Sequence, residues 1–220
     1  MSVIVQVSEL QYCNADGIRV LEDIHLHVER GELVFLVGPA AAGKSVLLNL
    51  LAAQLSPQHG QMLVQGRNIA RLGKKKAFDL RRRIGFLPQG FVPLGRTVLE
   101  NVTFKLRSLG VFREQAEDMA LAALERVGLT ARLTALADEL EPVEKLRLGI
   151  ALSLCNEPHL LLFDEPFGDL DSEDRGSVMA LLMRINARGS TILASTRGPL
   201  PVTANGCRVV SIVDGRIPGP

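Results

Sequence analysis

Gly38-Pro39-Ala40-Ala41-Ala42-Gly43-Lys44-Ser45 sets two glycines, a lysine and a serine in the spacing Gly-x-x-x-x-Gly-Lys-Ser. The apolar run Leu33-Val34-Phe35-Leu36-Val37 comes just before it, and a helical pattern from Val46 to Ala53 follows. A loop between a buried strand and a helix N-terminus turns backbone N–H groups inward, which makes a cradle for an anion, here expected to be a nucleotide phosphate. Lys44 would then reach the outer phosphates as a point charge, and the Ser45 hydroxyl would take a magnesium position. A second chemical stretch is Leu160-Leu161-Leu162-Phe163-Asp164-Glu165, an apolar strand ending in two acids. Ligands of open α/β sheets bind at the C-terminal ends of strands, and a carboxylate there, Asp164, can hold magnesium through water. Glu165 is placed as the base that orients or deprotonates an attacking water, a role worth about 10²- to 10⁴-fold in rate.

These residues need a scaffold, and the rest of the chain supplies a pattern for one. Val3, Val5 and Val7 alternate with polar neighbours, as do Ile24, Leu26 and Val28, so the opening segment reads as antiparallel, half-exposed sheet around the turn Asn14-Ala15-Asp16-Gly17. Strand pattern resumes at Gln61 to Val64 and at Ile84-Gly85-Phe86-Leu87. From 90 to 158 the pattern turns helical: Thr97 caps Val98 to Leu109, Arg113 to Val127 stops at Gly128, and Glu141 precedes a helix that opens on Pro142. Strands return at Leu160 to Phe163, Thr191 to Ala194 and Val209 to Val213, with helical Asp174 to Ala187 between the first two. This alternation predicts an α/β fold with a parallel core sheet covered on both faces, an N-terminal antiparallel β subdomain and an inserted helical subdomain. The expected organisation is one domain, 1–220, with the core in 1–89 and 159–220 and the helical insertion in 90–158.

The totals narrow the function classes. The 220 residues, 47% of them apolar, can bury a real core. A formal charge of +1 gives no global attraction to nucleic acid or to an anionic membrane. Lys74-Lys75-Lys76 and Arg81-Arg82-Arg83 flank a short helix that reads as a solvated face without aromatic stacking platforms. Cys13, Cys155 and Cys207 are far apart in sequence and without metal spacing, as expected of reduced thiols in a cytosolic protein. No apolar run reaches the roughly 18 residues a spanning helix needs, and Met1-Ser2-Val3-Ile4-Val5 enters strand without a basic leader. The chain is therefore expected to be soluble and to work at a membrane only by docking.

The order Tyr12, Gly38 to Ser45, Gln89, a helical insertion, Asp164-Glu165-Pro166 and then Asp169-Leu170-Asp171 resembles the ATP-binding subunits of ABC transporters over essentially the whole chain. Leu80-Arg81-Arg82-Arg83-Ile84-Gly85, Arg96-Thr97-Val98-Leu99-Glu100-Asn101-Val102 and Arg126-Val127-Gly128-Leu129 look most like the FtsE cell-division branch, with the lipoprotein-release and macrolide-export ATPases close to it. The resemblance implies a P-loop ABC ATPase fold, ATP and Mg2+ as ligands, an integral-membrane ABC subunit (FtsX-like) as partner, and a second ATP-binding subunit in a homodimer or heterodimer. It implies no nucleic acid, and a cytoplasmic, peripheral location on the inner face of the plasma membrane. Carried over residue by residue, it implies that Tyr12 stacks on adenine and that Gly38, Pro39, Ala40, Ala41, Ala42, Gly43, Lys44, Ser45 and Val46 hold the nucleotide. It implies that Ser45, Gln89 and Asp164 serve magnesium, and that Lys44, Glu165 and Gln89 serve catalysis, Gln89 also sensing the membrane subunit. Asp171 would cross the dimer interface.

Three positions depart from the family pattern. Where the family has Leu-Ser-Gly-Gly before a long helix, this chain has Leu140-Glu141-Pro142-Val143. Pro142 removes an N–H donor, Val143 adds bulk, and Glu141 brings a negative charge to a place meant for the partner subunit's phosphate; two unit charges about 4 Å apart repel by at most roughly 4 kcal/mol at an effective dielectric near 20. Arg197 stands where the family has a histidine, and it cannot accept a proton at neutral pH; it can clamp phosphate or pair with a nearby acid. Val46 replaces the usual threonine and loses one hydroxyl contact. Two function classes stay open: an ATPase subunit that powers or gates a membrane partner, slowly or in a heterodimer, and a nucleotide-binding regulator or scaffold without useful turnover. A nucleic-acid ATPase using 74–83 is a third, weaker reading.

Overall fold

The computed structural model describes residues 2–168, 170–200 and 206–218. Strands β1 (Val3–Cys13) and β2 (Arg19–Glu29) pair antiparallel, and β3 (Leu33–Val37) then leaves them for a second sheet. Helix α1 (Lys44–Leu51) follows, and β4 (His59–Val64) and β5 (Arg67–Asn68) complete a four-stranded sheet in the order β2-β1-β4-β5. The strand β4 starts at His59, earlier than the sequence pattern suggests, because Gln11 in β1 pairs directly with His59. After α2 (Lys74–Arg81) come β6 (Ile84–Leu87), the helices α3 (Val98–Ser108), α4 (Arg113–Val127) and α5 (Pro142–Leu154), then β7 (Leu160–Phe163), α6 (Ser172–Ala187), β8 (Thr191–Thr196) and β9 (Arg208–Ser211).

The second sheet is parallel throughout and runs β6-β7-β8-β3-β9. Its strands are apolar without alternation because both faces are covered. Val34, Leu36, Leu160, Leu162 and Leu193 share one core with α1 and the antiparallel sheet. The opposite-facing Leu33, Phe35, Leu161, Phe163, Ile192 and Ala194 share the other with α3, α4, α5 and α6. Side chains that alternate along each strand therefore serve two separate cores.

The helices begin and end where their caps dictate. Thr97 Oγ1 accepts from the Glu100 N–H at 3.2 Å while Glu100 Oε2 accepts from the Thr97 N–H at 3.0 Å, a reciprocal pair that starts α3. Gly128, at φ 78°, ends α4 in the left-handed conformation that side chains disfavour. Asp171 caps α6 through Oδ1, which accepts from the Asp174 N–H at 2.8 Å, so the helix opens at Ser172, ahead of the sequence expectation. Buried Asn101 on α3 ties down the loop before it, accepting from the Leu94 N–H and donating to the Leu94, Arg96 and Thr97 carbonyls.

Helix α5 belongs to both parts of the chain. Its Leu148, Ile150, Ala151 and Leu154 lie in the core that includes Leu33 and Phe35 of the sheet. A Cβ on Gly85 of β6 would lie 2.1 Å from the Ser153 carbonyl oxygen, so helix and strand meet there at backbone distance, and one on Gly149 of α5 would lie 2.6 Å from Leu87 Cδ1, so that glycine makes room for the leucine side chain.

The sequence reading of 74–83 needs one correction. Phe78 lies inside it and is 53% exposed, with the Arg81 and Arg82 guanidinium carbons 5.9 and 5.8 Å from its ring centroid. Helix α2 buries only Leu80 fully, which leaves Phe78 facing outward. No helix among the described residues is long and apolar enough to cross a membrane.

Candidate functional site

The loop Gly38–Gly43 leaves β3 at Val37 and enters α1 at Lys44. A Cβ at Gly38 would sit 2.0 Å from the Ile212 carbonyl oxygen, so glycine is what lets the segment after β9 pass against the start of the loop. Ala41, at φ 61°, and Gly43, at φ 98°, bend the loop, and Gly43 heads α1 without a side-chain cap. The first turn of α1 contains no acid. Its N–H groups are thus neither capped by a side chain nor screened by a carboxylate of that turn, the condition for receiving an anion.

Lys44 is 3% exposed, and its ammonium group is fully engaged. Nζ donates to the Gly38 carbonyl at 2.7 Å and the Pro39 carbonyl at 2.8 Å, and lies 3.4 Å from Glu165 Oε1. Three donors meet three oxygens. Ser45 Oγ donates to Asp164 Oδ1 at 3.0 Å, which joins the loop to the end of β7.

Because β8 lies between β3 and β7, a residue of β8 mediates that junction. Ser195 Oγ donates to Asp164 Oδ1 at 2.7 Å and accepts from the Glu165 N–H at 2.9 Å. Ser195 is fully buried. Glu165 itself takes φ 53°, an unfavourable backbone for a side chain with a Cβ, and that bend turns its carboxylate toward Lys44.

Arg197 completes the cluster. Its backbone N–H donates to Glu165 Oε2 at 3.1 Å, its Nε to Glu165 Oε1 at 3.3 Å, and its Nη2 to Gln89 Oε1 at 3.2 Å. Of the two pairings open to Arg197 from sequence, the acid is the one formed. Gln89, exposed at the start of the loop after β6, is thereby brought to the same cluster.

An open cleft of about 530 Å³ runs over these groups. Ala41, Ala42, Gly43, Lys44, Ser45 and Val46 line it on one side, and Glu165 and Arg197 on another. Pro39 and Ala40 are exposed on the loop beside it. Tyr12 is placed differently: it pairs with Leu21 across β1 and β2, packs half-buried against the antiparallel core, and is not among the cleft-lining residues. Ile18, just before β2, and Arg19 and Val20 at its start line the cleft instead, together with Asp214 and Gly215. Sequence reading missed those five and Ser195. The polar Ser195-Thr196 ending the apolar run Ile192-Leu193-Ala194 was the available signal for the serine; nothing local marks the others.

The oxygen set fits a magnesium ion. Among the described residues no group of three or more His, Cys, Asp or Glu side chains could hold a metal alone. Ser45 Oγ and Asp164 Oδ1, 3.0 Å apart, match the way this small hard cation is held beside phosphates, by a hydroxyl or one carboxylate with water and phosphate oxygens supplying the rest.

The start of α5 is organised around acids. Glu141 occupies its N-cap position, Pro142 its first turn, and the Glu141 N–H donates to Glu144 Oε2 at 3.1 Å. Glu144 Oε1 accepts from Arg132 Nε at 2.9 Å. Partial burial pushes the Glu144 carboxyl upward, but the hydrogen bonds from Arg132 and the Glu141 N–H outweigh it and hold the carboxyl below the ordinary range. Asp171, expected at a dimer interface, spends one oxygen on capping α6, and Asp169 of the same stretch lies outside the described residues.

Comparison with known proteins agrees with this architecture. The family model described as ABC transporter matches residues 21–168. The cell division ATP-binding protein FtsE of Bacillus subtilis is 33% identical over 214 residues, covering 97% of this chain and 94% of that protein. Among solved structures, CbiO1 of Clostridium perfringens, part of the ABC transporter complex CbiONQ, superimposes with a TM-score of 0.92 at 27% identity, covering 100% of this chain and 88% of that one. The ATP-binding cassette MJ0796, as a dimer in a post-hydrolysis state bound to ADP and Pi, gives a TM-score of 0.83 at 27% identity over 98% of this chain and 97% of that one. With the phosphate loop, the strand-end acids and the parallel sheet all in place, the chain belongs to the ABC transporter family, as an ATP-binding subunit similar to the FtsE cell-division proteins.

Proposed function

We propose that this chain binds ATP in the cleft above Lys44 and couples that binding, with slow or partner-dependent hydrolysis, to an integral-membrane ABC subunit of the FtsX type. The observation that carries this reading is the convergence of Lys44, Ser45 and Glu165 on one cleft beside an uncapped helix N-terminus, with Asp164 bonded to Ser45 just behind it, two distant stretches of sequence brought together. The loop 38–46 takes the phosphates, with Lys44 exchanging its contacts to Gly38, Pro39 and Glu165 for phosphate oxygens. Ser45 and Asp164, with Gln89 close by, would hold magnesium, which when bound neutralises charge developing on the phosphates. Glu165 orients the attacking water, and the adenine lies against Ile18, Arg19 and Val20, with Tyr12, paired with Leu21 next to Val20, as the nearest aromatic offered from β1.

A second reading, a nucleotide-binding regulator without useful turnover, is favoured by two observations. Lys44 and Arg197 already occupy three of the about four acceptor positions of the Glu165 carboxylate. The start of α5 presents Glu141 and Pro142 where a partner's phosphate would have to dock. Both features slow hydrolysis by a pair of identical chains without weakening the phosphate loop. A partner subunit with a serine-glycine start to the same helix would relieve the second. The chain thus sits on the cytoplasmic face of the membrane as one of two ATP-binding subunits, docked through its helical block.

Steady-state ATP hydrolysis by wild type, Lys44→Ala and Glu165→Gln, each alone and with the membrane subunit, tests the proposal. Slow turnover in wild type that falls at least about tenfold in both variants is expected. Background turnover in wild type in both settings would leave only the regulatory reading.

A further inference from the structure

We propose that a cavity at the starts of β7 and β8 is a second anion site, which binds a small phosphate monoester through Arg184 and Arg188. It lies at the opposite end of those strands from Asp164, Glu165 and Ser195, and it does not depend on the nucleotide reading of the cleft.

The cavity, of about 290 Å³, opens beside the C-terminal ends of α4, α5 and α6. Leu154, Pro158 and Ile185 are the buried part of its lining. Three guanidiniums, of Arg126, Arg184 and Arg188, stand around it against one carboxylate, that of Glu157. Arg126 Nη2 donates to Glu157 Oε1 at 3.2 Å, and the glutamate side chain is 71% exposed. Arg184 and Arg188, one turn apart at the end of α6, have no side-chain hydrogen bond or ion pair among the described residues. Like charges at that spacing repel, so the pair is held at a cost to the helix.

Cations in a last helical turn often serve the helix itself, by donating to its final carbonyls. Here other donors already do so. The Ile185 carbonyl accepts from the Arg188 N–H at 3.3 Å and the Asn186 carbonyl from the Gly189 N–H at 2.8 Å, while the Ser190 carbonyl accepts from Asn186 Nδ2 at 2.9 Å. The Leu154 carbonyl, at the end of α5, accepts from the Glu157 N–H at 2.9 Å. Arg81 and Arg82 show the other arrangement, since their guanidiniums donate to the Ala53 and Leu109 carbonyls at the ends of α1 and α3. Arg184 and Arg188 keep their donor forks for another acceptor.

The number of forks selects the ligand. A carboxylate has two oxygens and is saturated by one guanidinium. A phosphate monoester presents three terminal oxygens and carries about −1.5 to −2 charge at pH 7, so it answers two guanidiniums at once and matches the two charges that Glu157 leaves unopposed. The volume lies near the lower limit of small-molecule sites, about 300 Å³, which suits a phosphate on a short carbon body better than a nucleotide. His159 and Ser190, also in the lining, offer polar contacts to that body.

Titration calorimetry with glycerol 3-phosphate as probe, in saturating ADP and magnesium so that the phosphate loop does not contribute, tests the site. Affinity is expected to fall at least tenfold in the double variant Arg184→Gln, Arg188→Gln, and to rise severalfold in Glu157→Gln, which removes the competing carboxylate. A loss in one variant and a gain in the other cannot both come from misfolding. Hydrogen exchange locates the effect: the probe should slow it over 156–160 and 184–190 in wild type and leave it unchanged in the arginine variant. No measurable binding by wild type, or equal affinity in wild type and the arginine variant, overturns the proposal. A phosphoserine peptide that binds at least tenfold more tightly than glycerol 3-phosphate overturns the small-ligand assignment in favour of a protein partner.

Discussion

Ser195 shows what a single hydroxyl does when a sheet places it between two carboxylate-bearing neighbours. Its Oγ serves Asp164 as donor and the Glu165 N–H as acceptor, inside the protein and out of reach of water. Ser195→Ala would leave an N–H at a strained backbone position without its acceptor, and a carboxylate short of a donor. Unpaired buried groups of this kind cost about 1–3 kcal/mol. Urea unfolding of Ser195→Ala should show a loss in that range; a loss below about 0.5 kcal/mol would mean that solvent reaches Asp164 and Glu165 more freely than their burial indicates. Lys44, Ser45, Asp164 and Glu165 were legible in the sequence because each sits in a short motif whose chemistry is local. Ser195 and the partners of Arg197 were not, since both depend on β8 lying between β3 and β7, which no local pattern states. Arg19 and Val20 reach the cleft for a similar reason: their placement is set by the pairing of β2 with β1, and the alternation that marks a strand says nothing about what its end overhangs.

Among the elements, helix α5 carries the plainest conflict between folding and the family's chemistry. Glu141, Pro142 and Glu144 give it a well-formed start, and the same residues put carboxylates at the end of the helix where an anion from a partner would approach. The Glu144 carboxyl is held below its ordinary range in the folded chain, so its contribution to stability is complete above the unfolded-state value and disappears as pH falls through the folded one. The stability difference between wild type and Glu144→Gln, followed by urea unfolding, should therefore shrink as pH drops from about 6 to about 3. A difference that stays constant across that range would show the glutamate acting by shape instead of charge. Most element positions could be read in advance, because caps and stops such as Thr97, Gly128 and Pro142 are themselves residues. The exceptions were strand ends and two helices, α6, which opens at Ser172 where Asp171 caps it, and α1, which runs from Lys44 to Leu51 instead of Val46 to Ala53. The start of β4 at His59 follows from its pairing with β1, and β9 ends at Ser211 because the chain then turns, Val213 bridging Arg216.

For the molecule as a whole, charge is balanced at the cleft as it is overall. Arg19, Lys44 and Arg197 line the cleft with Glu165 and Asp214, and buried Asp164 lies directly behind Ser45, so three cations are offset by three carboxylates, one of them beneath the surface, within a chain of formal charge +1. A balanced cleft exerts little long-range pull on an anionic nucleotide, so capture depends on contacts made after arrival. Stopped-flow association rates for ATP should change less than about threefold between 50 and 500 mM salt; a steep fall would reveal an uncompensated positive field. The close contact between α5 and β6, backbone to backbone where Gly85 meets Ser153 and with the Leu87 side chain seated on Gly149, adds a mechanical property. Surfaces that meet through side chains can slide by exchanging rotamers, but two backbones in contact have nothing to exchange. At Gly85 and Ser153 the helix is therefore expected to pivot on the strand more readily than to slide along it. A push delivered to the helical block becomes a torque about that fulcrum, and its short arm ends at Leu87, one peptide from the loop that carries Gln89.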